Sequence, residues 1–276
     1  MTPLERWYVE HGRHDLAWRH TRDRWSVLVA EVMLAQTQVA RVASAWPEFL
    51  ARFPTVEAAA AASVGDLIVA WGRLGYPRRA RRLWEAADFV VARGWPDDLT
   101  LLPGVGRYTA GAIRAEVDDE PDAIGIDVNI RRVCERTEGT SLRDREAESV
   151  ALRLARPLYG RDRLLALMDL GALVCTARAP QCDRCPLRRR CATRGERDGE
   201  VRSRQPRYEG SFRQRRGRVL DLLRRAERVE IGNVDIEVVQ SLVDDGLAEI
   251  REGLVTLPGR GPSSAGSSRA GRGLTR

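Results

Sequence analysis

The amino-acid sequence predicts an all-α protein that carries one small unit of mixed helix and strand near its C-terminus. Apolar residues recur every three to four positions through most of the chain, which is the period of an α-helix. A strand-like pattern occurs only in residues 248–257. Prolines separate the periodic stretches, as expected at helix ends. These prolines are Pro47, Pro54, Pro77, Pro96 and Pro103.

Two helical blocks make up most of the chain. In the first, residues 25–53 show the longest periodic pattern, and residues 64–71 and 78–91 repeat its period. The apolar positions of the longest stretch are Val29, Val32, Met33, Val39, Val42, Trp46 and Phe49. The second block covers residues 130–138, 143–158 and 161–174 and leads directly into a group of cysteines.

The C-terminal region has its own pattern. Residues 212–228 are typical of a strongly basic amphipathic helix, and residues 234–245 of a second helix. Residues 248–257 are typical of a short hairpin that turns at Glu252 and Gly253. The order of helix, helix and hairpin indicates a small winged-helix-like unit.

Four of the five cysteines form a motif with the spacing C-x6-C-x2-C-x5-C. They are Cys175, Cys182, Cys185 and Cys191. Four close thiolates are soft ligands that select zinc or an iron–sulfur cluster. Structural zinc sites usually separate two C-x2-C pairs by a longer loop, so this spacing favours a [4Fe–4S] cluster. Cys134 lies among apolar residues and is expected to be an inert core thiol.

Composition limits the classes of function. The 276 residues carry a net charge of +7, and all 46 basic residues are arginines, because the sequence contains no lysine. Arginine forms bidentate contacts with phosphate, which makes nucleic acid the leading candidate partner. The chain has no apolar run long enough to cross a membrane and no secretory h-region. Together with the reduced thiols, this predicts a cytoplasmic protein.

A proline and two glycines lie between two helical stretches, in the run Leu102-Pro103-Gly104-Val105-Gly106-Arg107-Tyr108-Thr109. These residues favour a tight turn between helices, and the free amides of the second helix form a natural anion site. A Rossmann turn would need a preceding strand and a third glycine, which are absent from the sequence pattern. An ordinary turn remains the alternative to a phosphate-binding hairpin.

Two carboxylates are candidate catalytic groups. Glu31 interrupts an apolar run, and partial desolvation there would raise its pKa towards that of a general acid. The alternative is an exposed residue of an amphipathic helix. Asp127 lies just before the helix of residues 130–138, where it could equally be an N-cap, a role for which Asn129 competes.

These motifs together resemble the helix-hairpin-helix (HhH-GPD) DNA glycosylases that carry a [4Fe–4S] cluster, most closely the MutY-type adenine glycosylases. The resemblance covers roughly residues 4–194 and depends on the order and spacing of several short motifs. They are Glu31-Val32-Met33-Leu34-Ala35-Gln36-Thr37-Gln38-Val39, Leu74-Gly75-Tyr76, residues 102–111, Asp127-Val128-Asn129, Met168-Asp169-Leu170-Gly171-Ala172 and the cysteine loop.

The resemblance implies a role for each matched residue. Glu31 would protonate the departing adenine, and Asp127 would stabilise an oxocarbenium-like sugar, with Tyr108 and Asn129 orienting both. The residues implied in DNA contact are Gln36, Thr37, Tyr76, Gly104, Gly106 and Arg107. Gln36 and Tyr76 would wedge into the duplex while a base is flipped out, and the hairpin would hold the backbone. The implied partner is double-stranded DNA with a mismatch or an oxidised base, bound by a monomer.

Bifunctional relatives such as endonuclease III attack the sugar with a lysine of the hairpin motif. This chain has Tyr108 there and no lysine elsewhere, which predicts a monofunctional glycosylase with water as nucleophile. The resemblance, the element pattern of the C-terminal unit and the Gly/Ser/Arg-rich composition of the tail together predict four regions. They are an iron–sulfur lobe of residues 1–20 and 130–195, a six-helix lobe of residues 21–129, a winged-helix-like extension of residues 207–258 and a disordered tail of residues 259–276.

The sequence departs from the family pattern at several positions. Ala35 and Val128 replace a glutamine and a small or hydroxylated residue, and the helix end at residues 116–120 is unusually acidic. No Nudix-like domain that inspects 8-oxoguanine is readable after Cys191. A thymine or uracil mismatch glycosylase is therefore one alternative function, and a non-catalytic iron–sulfur DNA-binding or redox-sensing protein is another.

A winged-helix regulator is a third idea. The would-be recognition helix, residues 236–247, carries acids and no basic residue, which argues against DNA binding by that helix. If the C-terminal unit contacts DNA at all, the basic helix of residues 212–228 is expected to do so.

Overall fold

The computed structural model describes residues 1–196 and 207–260. Within those ranges the chain forms twelve α-helices and one three-stranded antiparallel sheet, which confirms the predicted all-α class with a small mixed unit. The helices are α1 (Pro3–His11), α2 (Arg24–Leu34), α3 (Val39–Arg52), α4 (Val56–Ala61), α5 (Val64–Trp71), α6 (Arg78–Arg93), α7 (Arg107–Glu116), α8 (Val128–Glu138), α9 (Asp144–Leu154), α10 (Gly160–Leu173), α11 (Phe212–Arg225) and α12 (Ile236–Asp244). The strands are β1 (Val229–Glu230), β2 (Glu249–Arg251) and β3 (Leu254–Thr256).

The described helices pack around two apolar cores. The first core is built mainly by α2 to α6 and contains large side chains such as Met33, Phe49 and Trp71. The second is built mainly by α1, α8, α9 and α10, with Ile130 and Leu167 fully buried in it. Each helix places one apolar stripe in its core, which is how amphipathic helices gain most of their stability.

Helix α7 joins the two cores. Its residues Ala110 and Ile113 belong to the first core, whereas Ala112 and Ala115 belong to the second. Both α2 and α10 pack against it. Small alanine side chains allow this close approach from two sides, so residues on α7 can meet groups carried by either core.

The predicted helical stretch of residues 25–53 is two helices, α2 and α3. The chain turns between them, and Gln36 adopts a left-handed backbone with φ of 58°. Apolar periodicity continues through the turn because both helices contribute to the same core. The prediction also missed α1 and α4, which begin at the side-chain caps Thr2 and Thr55.

The predicted hairpin of the C-terminal unit is present as β2 and β3. Glu252 and Gly253 form its turn with positive φ angles of 52° and 77°. Strand β1, which pairs with the other side of β3, was not predicted, because two residues are too few to show a period. The core residues of α11 and α12, including Leu220 and Leu242, belong to the first core. The unit is therefore packed against the helices that precede it.

The predicted tail of residues 259–276 lies mostly outside the described residues. Gly259 and Arg260 are described, and the Arg260 guanidinium lies 3.2 Å from the Asp66 carboxylate. No helix in the described ranges is both long and apolar enough to span a membrane. The boundaries of the four regions stay a prediction.

Candidate active site

Glu31 is a carboxylic acid buried in the last turns of α2. Glu31 is only 3% exposed, and its Oε2 atom has no hydrogen-bond partner in the described structure. Burial and then the negative charge of Glu116 raise the pKa of Glu31 from 4.5 to about 8. The carboxyl group is therefore mostly protonated at neutral pH, as a general acid must be.

Tyr108 provides a neutral hydroxyl beside this acid. It lies in the first turn of α7, and burial raises the pKa of its phenol well above 10, with the charges of Glu31 and Asp127 adding to that rise. The hydroxyl donates towards Glu31 and so lowers the pKa of Glu31, opposing the effect of burial. It also lies 4.0 Å from Sδ of Met168. The phenol can orient the acid but is not itself positioned to lose a proton at neutral pH.

Asp127 is the N-cap of α8 and also faces the acid. Its Oδ1 atom accepts hydrogen bonds from the backbone N–H groups of Asn129, at 2.9 Å, and Ile130, at 2.7 Å. The Asn129 side chain donates to Oδ2 at 2.7 Å, and its own oxygen accepts from Arg132 at 2.8 Å. Burial raises the pKa of Asp127, whereas these hydrogen bonds lower it. The capping bonds thus hold the carboxylate in one orientation.

Glu116, the last residue of α7, is a second buried carboxylate at this site. It is 2% exposed, and burial raises its pKa to about 6, while Arg161, Arg19 and Arg22 lower it. Arg161 and Arg22 also donate to the Glu116 backbone carbonyl, at 2.7 and 3.1 Å. A carboxylate at a helix C-terminus opposes the helix dipole. The acidic helix end is visible in the sequence, but no sequence pattern there links Glu116 to Glu31.

Two surface loops meet beside the C-terminal end of α2. Gln36 and Tyr76 lie at their tips, both exposed and both in the left-handed region, with φ of 58° and 48°. Such a backbone costs about 1–3 kcal/mol per residue and persists only where its surroundings hold it. Arg79 does so here by donating to the Thr37 hydroxyl at 3.0 Å and to the Gly75 carbonyl at 3.2 Å.

Arg79 is a functional candidate that the sequence analysis missed. Its guanidinium lies 5.2 Å from the centre of the Tyr76 ring and also donates to backbone carbonyls at the end of α2, including Val32 at 2.7 Å. Burial lowers the pKa of Arg79 to about 10, so it stays charged at neutral pH. Four arginines occur within residues 78–82, and no sequence signal distinguishes Arg79 from the other three.

The predicted hairpin is a tight turn that leads into α7. Gly104 has φ of 80°, and a Cβ atom there would lie 2.7 Å from the Arg82 side chain. Gly106 is the N-cap, and no side chain caps the first amides of α7, which leaves them available to an anion. The Arg107 guanidinium already lies 3.0 Å from the Glu148 carboxylate.

The four predicted cysteine ligands line one cavity. Its other lining residues include Arg136, Arg188 and Arg194. Arg136 is 1% exposed and its Nη1 lies 3.5 Å from Cys175 Sγ, so it places a positive charge against the thiols. The described residues contain no group of three or more His, Cys, Asp or Glu side chains arranged to hold one metal ion.

The fifth cysteine, Cys134, belongs to the second core. It is fully buried, and burial raises the pKa of its thiol to about 12, as expected of an inert core residue.

The chain is similar in sequence to one protein family and to several characterised proteins of DNA repair. The model of the HhH-GPD superfamily of base excision DNA repair proteins matches residues 29–157. The adenine DNA glycosylase of Mycolicibacterium smegmatis is 38% identical over 95% of this chain and 97% of its own length. That of Mycobacterium tuberculosis is 40% identical over 94% of both chains. The human adenine DNA glycosylase is 36% identical over 68% of this chain and 38% of its own length.

Two solved structures have a similar fold. A thermostable thymine-DNA glycosylase gives a TM-score of 0.63 at 26% identity, over 70% of this chain and 93% of its own. A trapped covalent intermediate of endonuclease III with DNA gives 0.60 at 24% identity, over 69% and 92%. The second likeness concerns the fold alone.

The burial of Glu31 predicts a pH-dependent stability cost. Between the pKa of the unfolded chain, near 4.5, and the folded value of about 8, only the folded protein keeps this proton. The contribution of Glu31 to the free energy of unfolding is therefore full below the lower pKa and falls by up to about 1.4 kcal/mol per pH unit as the pH rises. The Glu31→Gln variant should lack this loss. Its free energy of unfolding in urea, relative to that of the wild type, should therefore increase from about pH 5 to about pH 8; this difference is called its stability advantage.

The same substitution in a Glu116→Gln background tests the second carboxylate. Without the Glu116 charge the pKa of Glu31 should be lower. In this background the stability advantage of Glu31→Gln should therefore stop increasing at a lower pH than in the wild-type background. Glu120→Gln is the matched control, since this surface carboxylate pairs with Arg114 and not with the site. An advantage that does not change with pH would show that Glu31 is ionised in the folded protein.

Proposed function

The chain belongs to the adenine DNA glycosylase family, within the HhH-GPD superfamily of base excision DNA repair proteins, and we propose that it hydrolyses the N-glycosidic bond of mispaired adenine. The proposed substrate is double-stranded DNA with adenine opposite 8-oxoguanine or guanine, bound by a monomer. The observation that carries this proposal is Glu31, a buried acid held neutral beside the fixed carboxylate of Asp127.

Glu31 supplies the proton that the leaving base needs. Breaking the bond between sugar and adenine places negative charge on the base, and protonation at N7 neutralises it. A well-placed general acid contributes about 10²–10⁴-fold to such a step. After the base departs, the Glu31 carboxylate can orient the attacking water, while Tyr108 keeps the acid in place by donating towards it.

Asp127 stabilises the positive charge that develops on the sugar. Three hydrogen bonds from Asn129 and Ile130 fix its two oxygens before the substrate arrives. An electrostatic group that needs no reorganisation stabilises a transition state most effectively. The positive sugar would in turn favour the ionised form of Asp127, against the effect of its burial.

The base must leave the helix before it reaches Glu31. Gln36 and Tyr76 are suited to enter the duplex, because both are exposed at loop tips that Arg79 holds in strained conformations. Filling the gap in the stack would offset an unstacking cost of a few kcal/mol. Thr37 accepts a hydrogen bond from Arg79, so its role here is to support the loops as much as to contact DNA.

The hairpin would hold the DNA backbone. Gly104 and Gly106 bring the uncapped amides of α7 to the surface, where a phosphate can approach them closely. Arg107 lies in the same turn, but its pairing with Glu148 reduces its net attraction for phosphate.

Cys175, Cys182, Cys185 and Cys191 would hold a [4Fe–4S] cluster. The donor set fits this group: four soft thiolates border one cavity, and the buried Arg136 offsets their negative charge. When bound, the cluster would supply metal–thiolate bonds that tie the cysteine loop together and add to the stability of the second core.

The thymine or uracil mismatch glycosylase is the less fitting alternative. The thymine-DNA glycosylase is 26% identical to this chain, whereas the two mycobacterial adenine glycosylases reach 38% and 40% over nearly the whole length. A non-catalytic DNA-binding protein is also disfavoured, because burying the Glu31 carboxyl group with no hydrogen-bond partner for its Oε2 atom costs stability and has no evident structural benefit.

A single-turnover assay tests the substrate and the acid together. Adenine should be released from duplexes with A:8-oxoguanine or A:G pairs, and thymine or uracil should not be released from T:G or U:G pairs. Glu31→Gln should lower the rate at least about 100-fold, because an amide is far too weak an acid to protonate the leaving base. Binding of the intact duplex should change little.

Glu120→Gln is the control for this assay, since it removes a carboxylate from the neighbouring surface. Turnover of the Glu31→Gln variant close to that of the wild type would mean that Glu31 has only a structural role. Release of thymine but not adenine would favour the alternative glycosylase.

The product should be an intact strand with an abasic site. Tyr108 occupies the position of the lysine in bifunctional relatives, and the chain has no lysine that could form a Schiff base. Borohydride should therefore trap little covalent protein–DNA adduct during the reaction. Efficient trapping on the A:8-oxoguanine duplex would contradict the monofunctional assignment.

Anaerobically purified protein should contain about four irons per chain together with acid-labile sulfide. Cys185→Ser should reduce the iron content and the free energy of unfolding, since cluster binding contributes to folding. Cys134→Ala is the matched control and should keep its iron, because Cys134 lies in the second core away from the cavity. Stoichiometric zinc without sulfide would refute the cluster.

A further inference from the structure

The loop of residues 72–77, here called the Tyr76 loop, is strained and exposed. It connects α5 to α6, and Gly72, Gly75 and Tyr76 have positive φ angles of 55°, 85° and 48°. Tyr76 is 43% exposed. Only neighbouring groups can keep a non-glycine residue in this conformation. What holds the two ends of the loop therefore determines how often Tyr76 is ready to act.

The C-terminal unit, residues 207–260, binds both flanks of this loop. Before the loop tip, Arg73 Nη2 lies 2.6 Å from Asp221 Oδ2 on α11. After it, Arg78 Nη1 lies 3.3 Å from Asp245 Oδ1, at the end of α12. Arg81, one turn further along α6, donates to the Asp245 backbone carbonyl at 2.6 Å. Two helices of the unit thus contact the start and the end of the same loop.

Each acid is itself held by a second arginine. Asp221 pairs with Arg224 at 2.9 Å, and Arg224 also donates to the Ile68 carbonyl on α5 at 3.2 Å. Asp245 pairs with Arg216, which also donates to the Ser241 carbonyl at 2.8 Å. The side chains of both acids are only about a quarter exposed, at 25% and 21%. Partial burial reduces screening by water and limits the number of side-chain conformations. These ion pairs therefore hold one geometry better than fully exposed pairs do.

The unit is also firmly seated on the helices that precede it. Its apolar residues share the first core, and the Gly65 N–H donates to the Pro258 carbonyl at 2.8 Å. Gly246 follows Asp245 with φ of 64°, and a Cβ atom there would collide with the Arg81 guanidinium. The positive φ favours glycine at this position, and the missing Cβ atom leaves room for the Arg81 side chain in its present conformation.

Arginines of the basic helix α11 serve these intramolecular contacts. Arg216 and Arg224 bind the two acids, and Arg215 pairs with Asp235 at 2.6 Å and with Glu237 at 2.9 Å. Charge that is neutralised within the protein attracts phosphate less. The helix thus uses much of its charge to assemble the unit and to attach it to the Tyr76 loop.

We propose that the C-terminal unit is an intramolecular brace for the Tyr76 loop, with Asp221 and Asp245 as positioning residues. The brace keeps Tyr76 in the conformation that enters the duplex, and in this respect it rests on the proposed function. Individual surface pairs are weak, so the brace acts on the population of loop conformations and not on the folding of the whole protein.

Hydrogen–deuterium exchange of the full chain tests the brace without DNA. In an Asp221→Asn/Asp245→Asn variant, the amides of residues 72–80 should exchange about fivefold faster, the effect expected from losing two such pairs. Glu237→Gln is the matched control, because it removes an ion pair inside the unit that does not reach the loop. Unchanged exchange in the double variant, or equal acceleration in the control, would overturn the proposal.

A double-mutant cycle with Tyr76→Ala then tests the route of the effect. The two Asp→Asn substitutions should slow single-turnover excision about fivefold when Tyr76 is present and hardly at all when it is absent. Equal slowing in both backgrounds would mean that the acids do not act through Tyr76. Tighter DNA binding in both backgrounds would mean that they merely repel phosphate. Either result would refute the brace.

Two further variants keep the test independent of folding and of the substrate. If the double variant does not fold, Asp221→Asn alone removes the pair with Arg73, whose side chain is 71% exposed. Arg73→Gln removes the same pair from the loop side and leaves Asp221 bound to Arg224, so it should accelerate exchange as Asp221→Asn does, and combining the two should add little. If the wild type excised no base at all, the proposed function would fail, while the exchange data would still decide the brace.

Discussion

Burial of the Glu31 carboxyl group is the constraint on which the arrangement around it depends. An ionised carboxylate in this position would be costly, so the group keeps its proton and its pKa rises to about 8. The fold maintains that state by placing α7, with Tyr108 and Glu116, against α2. The packing of α7 against α2 therefore both excludes water from the core and raises the pKa of Glu31.

Several other buried charges in the described part of the chain are compensated by arginine side chains. Asp169, fully buried on α10, receives ion pairs from Arg13 and Arg19 at 2.7 Å, which help to hold its pKa below the usual value. Arg161 and Arg136 bind backbone carbonyls in the interior in a similar way. A planar guanidinium has several donors in a fixed geometry, so one side chain can satisfy several acceptors. Glu31 differs from Asp169 because no arginine side chain donates to its buried Oε2 atom.

The Tyr76 loop and the acid depend on one another through Arg79. This residue joins the end of α2, which carries Glu31, to the loop that carries Tyr76. Helix, loop and C-terminal unit are therefore connected, so the proposed base extrusion and proton transfer would take place on neighbouring parts of the same scaffold. Strain in both loop tips is compatible with stability because the surrounding cores and ion pairs hold it.

Local patterns in the sequence were sufficient to predict the helical class, the family, the cysteine motif and the candidate residues Glu31 and Asp127. Each of these depends on residue spacing or on a short motif, and both are visible in the linear sequence without knowledge of the fold. The comparisons confirm the family and the adenine glycosylase function.

Only the tertiary structure decided what each charge faces. It brings Glu116 to Glu31 from another helix, selects Arg79 from a run of arginines and turns the basic helix α11 towards the Tyr76 loop. Burial and pairing depend on contacts between residues far apart in the chain. A sequence pattern records which charges exist, but the pKa of a group and the partner of an ion pair are set by the packing around them.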